Sequence, residues 1–141
     1  MRYYTVILEG IDKTGKDTIR QYVWQMNKSL NVFCRGYISL EVYNQKFNRG
    51  KSYSAPYKDA LYVLLTAEKD DWQIRCNISN EPVIDYENDS KLFRDVYNSL
   101  DNTYAKMEVN TTCCTAFQIA CQIIHKIDEL NNNIKEINYE K

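Results

Sequence analysis

The chain carries almost no net charge: 18 Lys and Arg against 19 Asp and Glu leave −1 at neutral pH. It has no global positive field of the kind that draws nucleic acid or an anionic membrane by counterion release, so nucleic acid is not an expected partner. It also lacks any run of about 18 apolar residues, and no membrane-spanning helix is expected. Arg2 precedes a short β-rich segment where a secretory leader would place a basic region, an apolar stretch and a cleavage site; the expected location is cytoplasmic. Histidine is reduced to His125 alone, and the five cysteines (Cys34, Cys76, Cys113, Cys114, Cys121) are odd in number without C-x-x-C spacing. That excludes a zinc site or disulfide framework. The cysteines read as reduced, buried small residues, and His125, set in an apolar helix, as a packed residue rather than a base.

What remains is the balance of a folded globule, with 44% hydrophobic and 26% charged residues, over a length that suits one domain, 1–141. Twelve tyrosines fit much half-buried surface, since a phenol buries its ring and keeps its hydroxyl wet. Residues 2–8 are nearly continuous in apolar and β-branched types, as expected of a strand buried on both faces. Ile19, Tyr22, Val23, Met26 and Leu30 then predict an amphipathic helix over 16–30. A strand at 31–34, a helix at 38–47, a loop at 48–57 and a strand at 60–66 follow. A short helix from Glu68 to Cys76, a helix at 86–100, a strand near 104–110 and a helix at 114–130 complete the order, with a polar tail over 131–141. Alternating strands and helices predict an α/β fold, a three-layer α/β/α sandwich around a small parallel sheet of about four strands.

The chemistry lies in Gly10-Ile11-Asp12-Lys13-Thr14-Gly15-Lys16-Asp17-Thr18, which satisfies G-x-x-x-x-G-K without the final Ser or Thr and sits between strand and helix as that motif must. Glycines let successive N–H groups curl around an anion, the helix N-terminus adds partial positive charge, and Lys16 bridges outer phosphates. Asp17 stands where a hydroxyl would ligate Mg²⁺; its carboxylate is a hard oxygen ligand that also brings negative charge beside the phosphates. Asp12 reads either as a brace of the loop or as a substrate contact.

Glu9-Gly10-Ile11-Asp12 followed by Gly15-Lys16 resembles the phosphate loop of thymidylate kinases and their phage relatives, within the P-loop nucleoside monophosphate kinases, where E-G-x-D-x-x-G-K-S-T is typical. The stretch from Cys34 to Asn44 is similar to that family's D-R-x-x-x-S-x-x-x-Y-Q, with Arg35, Ser39 and Tyr43 matching. Arg75 falls where these kinases carry R-x-x-x-R-G-E in a lid, and Asn110-Thr111-Thr112 resembles the loop that passes near the adenine. The resemblance implies a P-loop kinase fold and transfer of the γ-phosphoryl of ATP, with Mg²⁺, to a nucleotide substrate resembling dTMP. It implies that Lys13, Thr14, Lys16, Asp17 and Thr18 hold the donor with Gly10 and Gly15; Asp17, a carboxylate where the family has a hydroxyl, is the expected metal ligand. Arg35 and Arg75 would steady the migrating charge, and Asp12, Ser39, Tyr43 and Asn44 would meet the acceptor; it also implies a homodimer. Arg75 alternatively belongs to local helix pairs with Glu68, Asp70 and Asp71.

The chain departs from the pattern at Asp17, at Cys34 in place of the acid before the arginine, and at Ser79 in place of a lid arginine. Its first helix runs almost directly into the second strand, where the family has a further strand and an acceptor-binding helix. Two other functions therefore stand beside the kinase: a catalytically weakened nucleotide-binding protein acting through a partner, and a kinase for a larger acceptor such as a modified base in DNA.

Overall fold

The computed structural model describes residues 2–11, 14–50, 56–79 and 85–139. Its core is a four-stranded, wholly parallel sheet in the order β2-β1-β3-β4: β1 Thr5–Glu9, β2 Asn31–Cys34, β3 Ala60–Thr66 and β4 Ala105–Asn110. β1 pairs with β2 from Thr5↔Asn31 to Leu8↔Cys34, and with β3 from Thr5↔Ala60 to Glu9↔Leu64. The two central strands are therefore covered on both faces, which is why they read as near-continuous apolar runs.

Alternation along the strands divides the core in two. Val6 and Leu8 of β1 join Leu61, Val63 and Leu65 of β3 beneath α1 (Lys16–Met26) and α5 (Ala116–Tyr139). Ile7, Tyr62 and Leu64 point the other way, against α2 (Tyr37–Lys46), α3 (Lys69–Ser79) and α4 (Tyr86–Ser99). This is the expected three-layer α/β/α arrangement.

Several boundaries differ from expectation. α1 stops at Met26 because Asn27, in an extended conformation, turns the chain and accepts hydrogen bonds from the Ser29 N–H and hydroxyl. α5 runs on to Tyr139 instead of ending near 130. Asn131 explains part of that extension: its side chain accepts from Tyr3 N–H at 2.8 Å and donates to Tyr3 O at 3.1 Å, and Ile134 still packs on the core. His125 is exposed rather than packed, because the stripe of Ile123 and Ile127 turns it outward toward Glu129. None of the five cysteines is in a disulfide, yet only Cys76 is buried; Cys113 and Cys121 are exposed. Among the described residues no helix is long and apolar enough to cross a membrane.

Candidate functional site

The chain goes from β1 to β2 on one side and then returns to place β3 on the other side of β1. The carboxyl ends of β1 and β3 thus form a topological switch point, where open α/β sheets leave a crevice for ligands. The 10–15 loop leaves β1 at this point.

Local sterics fix the loop's glycines for two reasons. Gly10 has φ 137°, and a Cβ there would lie 2.3 Å from the Leu65 carbonyl oxygen of β3, so no other residue fits so close to the neighbouring strand. Gly15 has open space around it, but its φ of 81° at the N-cap of α1 is left-handed. As a cap it offers no side-chain acceptor, and the amides of a helix's first turn are donors of the kind an anion can use. Lys16 is buried, and its Nζ donates to Gly10 O at 2.9 Å, Ile11 O at 2.7 Å and Thr14 Oγ1 at 3.1 Å. Thr14 in turn donates to Ile11 O at 3.0 Å. Among the described residues these partners of the ammonium are neutral oxygens, which a phosphate oxygen can replace. Asp12 and Lys13 lie outside the described residues.

Asp17 is exposed in the first turn of α1, and its Oδ1 accepts a long sulfur hydrogen bond, 3.6 Å, from Cys34 Sγ at the end of β2. Burial, then the Asp17 charge, push the Cys34 thiol above its ordinary range, which keeps it a protonated donor. Among the described residues no three His, Cys, Asp or Glu gather as a metal cluster. A lone carboxylate beside a phosphate loop, as Asp17 is here, is the kind of donor Mg²⁺ takes when it is held mainly by phosphates and water.

Beyond β2 the chain turns sharply. Arg35 is left-handed at φ 74°, a strained geometry for a non-glycine residue. Its N–H donates to Leu8 O at 2.8 Å, and its Nη1 donates to the Tyr43 hydroxyl at 2.6 Å. The turn is held by Glu9, which sequence reasoning did not single out. Its carboxylate is fully buried and accepts from Gly36 N–H at 2.9 Å, Ile38 N–H at 2.7 Å, Ser39 N–H at 3.3 Å and Ser39 Oγ at 2.6 Å. A carboxylate thereby satisfies the start of α2, whose own cap, Gly36, offers no side chain. Desolvation pushes the Glu9 carboxyl above its ordinary value, and these hydrogen bonds act in the opposite direction. A charged residue at the end of an otherwise apolar central strand was the available signal. Ser39, expected to line an acceptor pocket, is buried with its hydroxyl committed to Glu9.

Tyr43 is half-buried, stacked on Phe47 and edge-on to Phe93. Asn44 is half-buried on the same helix. Across the α2–α4 contact, Lys46 donates to the buried Asp89 at 2.8 Å, leaving Asp89 Oδ1 without a hydrogen-bond partner. On the other side of the loop, Arg75 pairs with Asp71 one turn back and donates to Thr111 Oγ1 at 3.1 Å and Thr111 O at 3.3 Å. It therefore makes the local helix pair and also docks α3 on the β4–α5 turn. Arg75, Thr111 and Cys114 then face Thr14, Gly15 and Thr18 across a cleft of about 350 Å³. The loop, one arginine and the β4–α5 turn come together here, whereas Arg35 and Tyr43 belong to the α2 side.

No protein-family model matches the chain, and no curated protein matches it. Its fold is nevertheless shared with solved structures. The YorR protein from Bacillus subtilis, solved in complex with phosphorylated GDP, superposes with a TM-score of 0.69 at 20% identity, over 88% of this chain and 95% of that one. A gluconokinase from Sinorhizobium meliloti superposes with a TM-score of 0.55 at 12% identity, over 96% of this chain and 98% of the other. What the chain shares with both is the architecture, a parallel sheet between helical layers.

Proposed function

We propose that the chain is a nucleotide-dependent phosphotransferase that moves the γ-phosphoryl of ATP to a nucleoside monophosphate resembling dTMP. The observation that carries this reading is the 10–18 loop at the switch point, with the Lys16 ammonium laid across it and the 350 Å³ cleft opening beside it. The structural likeness to a protein solved with phosphorylated GDP supports a nucleotide in such a fold.

In this reading the amides of Lys16, Asp17 and Thr18 and the loop residues Lys13 and Thr14 cradle the donor phosphates, and Lys16 exchanges its carbonyl partners for phosphate oxygens. Asp17 would hold the nucleotide's Mg²⁺, which would supply neutralisation of the phosphate charge. An oxygen of the acceptor phosphate forms the new bond to the γ-phosphorus as the bond to the β-bridging oxygen breaks, and ADP leaves. Arg35 steadies the acceptor phosphate and Arg75 the donor side; Asp12, Tyr43 and Asn44 shape the acceptor's surroundings. A transfer assay with ATP, Mg²⁺ and a panel of nucleoside monophosphates tests this. A diphosphate product is expected with at least one deoxynucleotide, and absence of transfer to every acceptor at saturating ATP rejects the activity.

The Asp17–Cys34 contact favours a second reading, a nucleotide-binding protein with weakened catalysis, because it puts an acid where the loop meets phosphate and a neutral thiol where the family has an acid. ATP binding without turnover, with transfer appearing in the double variant Asp17→Ser, Cys34→Asp, supports it; turnover by the wild type rejects it.

A further inference from the structure

Glu9 is a fully buried carboxylate to which the transfer chemistry above assigns nothing. A helix start is ordinarily satisfied by a Ser, Thr or Asp at the cap itself. Here the cap is Gly36, and a desolvated charge is brought instead from the neighbouring strand: Oε1 accepts from Gly36 N–H and Ser39 Oγ, and Oε2 from Ile38 and Ser39 N–H. These bonds lie directly beside Arg35, whose left-handed φ of 74° is costly for a residue with a side chain. Such strain persists where the surroundings over-determine it, and it gathers at functional sites. Arg35 is fixed in just this way. Its N–H donates to Leu8 O, the next N–H is held by Glu9, and its guanidinium lies 5.4 Å from the centre of the Tyr43 ring. The position after it has no room for a side chain, since a Cβ on Gly36 would lie 2.8 Å from Ile7 Cγ2. Three consecutive residues of one strand end therefore divide the work: Leu8 takes the Arg35 amide, Glu9 the turn that follows it, and Gly10 the Lys16 ammonium at 2.9 Å.

We propose that Glu9 is a positioning residue for the acceptor: it locks Arg35 in the left-handed turn and so presents the guanidinium at a fixed place relative to the phosphate loop. The inference rests on the acceptor role given to Arg35 above. Ser39 then serves the acceptor through Glu9 and not by touching it. Released from the lock, Arg35 relaxes toward common backbone geometry, and affinity for the acceptor falls by the fraction of molecules that leave the competent state. Glu9→Gln separates this role from simple support of α2, because an amide has one accepting oxygen and not two. The arrangement that loses least keeps that oxygen on Ile38 and Ser39 N–H and lets the amide NH₂ donate to Ser39 Oγ. Gly36 N–H alone is left unpaired, so the start of α2 survives and the Arg35 turn is freed.

Nuclear magnetic resonance titrations, which read weak binding as well as tight, test this with ATP and Mg²⁺ on one side and dTMP, dAMP, dCMP and dGMP on the other. Glu9→Gln is expected to bind the preferred monophosphate about tenfold more weakly than the wild type and ATP equally well. In an Arg35→Ala background the same change is expected to cost nothing further, because residues that act as a unit are not additive. Ser39→Ala, which removes the 2.6 Å bond to Oε1 and keeps the carboxylate, is expected to weaken monophosphate binding by a smaller factor with ATP unaffected, and it carries the test if Glu9→Gln does not fold. Unchanged monophosphate binding in these variants, an equal loss for both ligands, or a loss that persists in Arg35→Ala overturns the positioning role while leaving the phosphotransferase reading in place. A wild type that binds ATP and none of the monophosphates rejects the acceptor reading itself, and the positioning role falls with it.

Discussion

A methyl group at position 10 meets the Leu65 carbonyl oxygen at 2.3 Å, in a backbone conformation that L side chains rarely adopt. Gly10→Ala is expected to destabilise the fold by at least about 2 kcal/mol, since strain and overlap add; a urea melt that moves by less contradicts the steric account. This glycine and Lys16 were legible because the motif is local, and its spacing alone specifies a cradle between strand and helix. Glu9 and Ser39 were not, because their partnership joins residues 30 apart through a turn that no periodicity announces. Glu9 also has a pH signature. Its folded pKa lies above 4.5, so the stability it contributes is full below that pH and is lost as pH rises through the raised folded value. Glu9→Gln removes the titration. Stability measured from pH 4 to 8, a range of about four units, is expected to fall with rising pH more in the wild type than in the variant; parallel curves would contradict it.

Among the elements, the strands and helices were readable wherever burial imposes a period. Leu61, Val63 and Leu65 alternate with Tyr62 and Leu64 because helices cover both faces of β3. The end of α5 was not readable, since it depends on Asn131 meeting Tyr3, 128 positions away. His125 and the exposed cysteines were misjudged for a related reason: composition says which residues favour burial, and only the phase of a helix says which way each one faces. The pairing of α2 with α4 depends on a similarly remote contact. Lys46 neutralises Asp89, whose side chain is 4% exposed. Removing the ammonium leaves a buried charge without its partner, so Lys46→Met is expected to cost about 3 kcal/mol in a chemical melt, whereas the double variant Lys46→Met, Asp89→Leu recovers most of that loss. A single variant as stable as the wild type would show that the pair does not hold the two helices together.

For the molecule as a whole, the strand order places the candidate site. A chain that leaves β1 on one side and returns on the other must open a crevice at their carboxyl ends, and the one glycine-rich loop the sequence marks out emerges there. Sequence pattern gave the layers and the loop; it could not give the place of β2 at the sheet's edge, which exists only once the strand order is known. Nor could it tell which arginine would share the cleft with the loop, because Arg75 reaches it by docking on Thr111 across the sheet's end. The claim on which the functional reading depends is that a nucleotide's phosphates bind in the 10–18 loop with the Lys16 ammonium closing it. Thermal melting of the wild type and of Lys16→Ala, with and without ATP and Mg²⁺, tests this directly, because a ligand bound to the native state raises its melting temperature by mass action. The wild type is predicted to melt higher with nucleotide and Lys16→Ala to show little or no rise; an unmoved wild type, or an equal rise in both, would contradict the account.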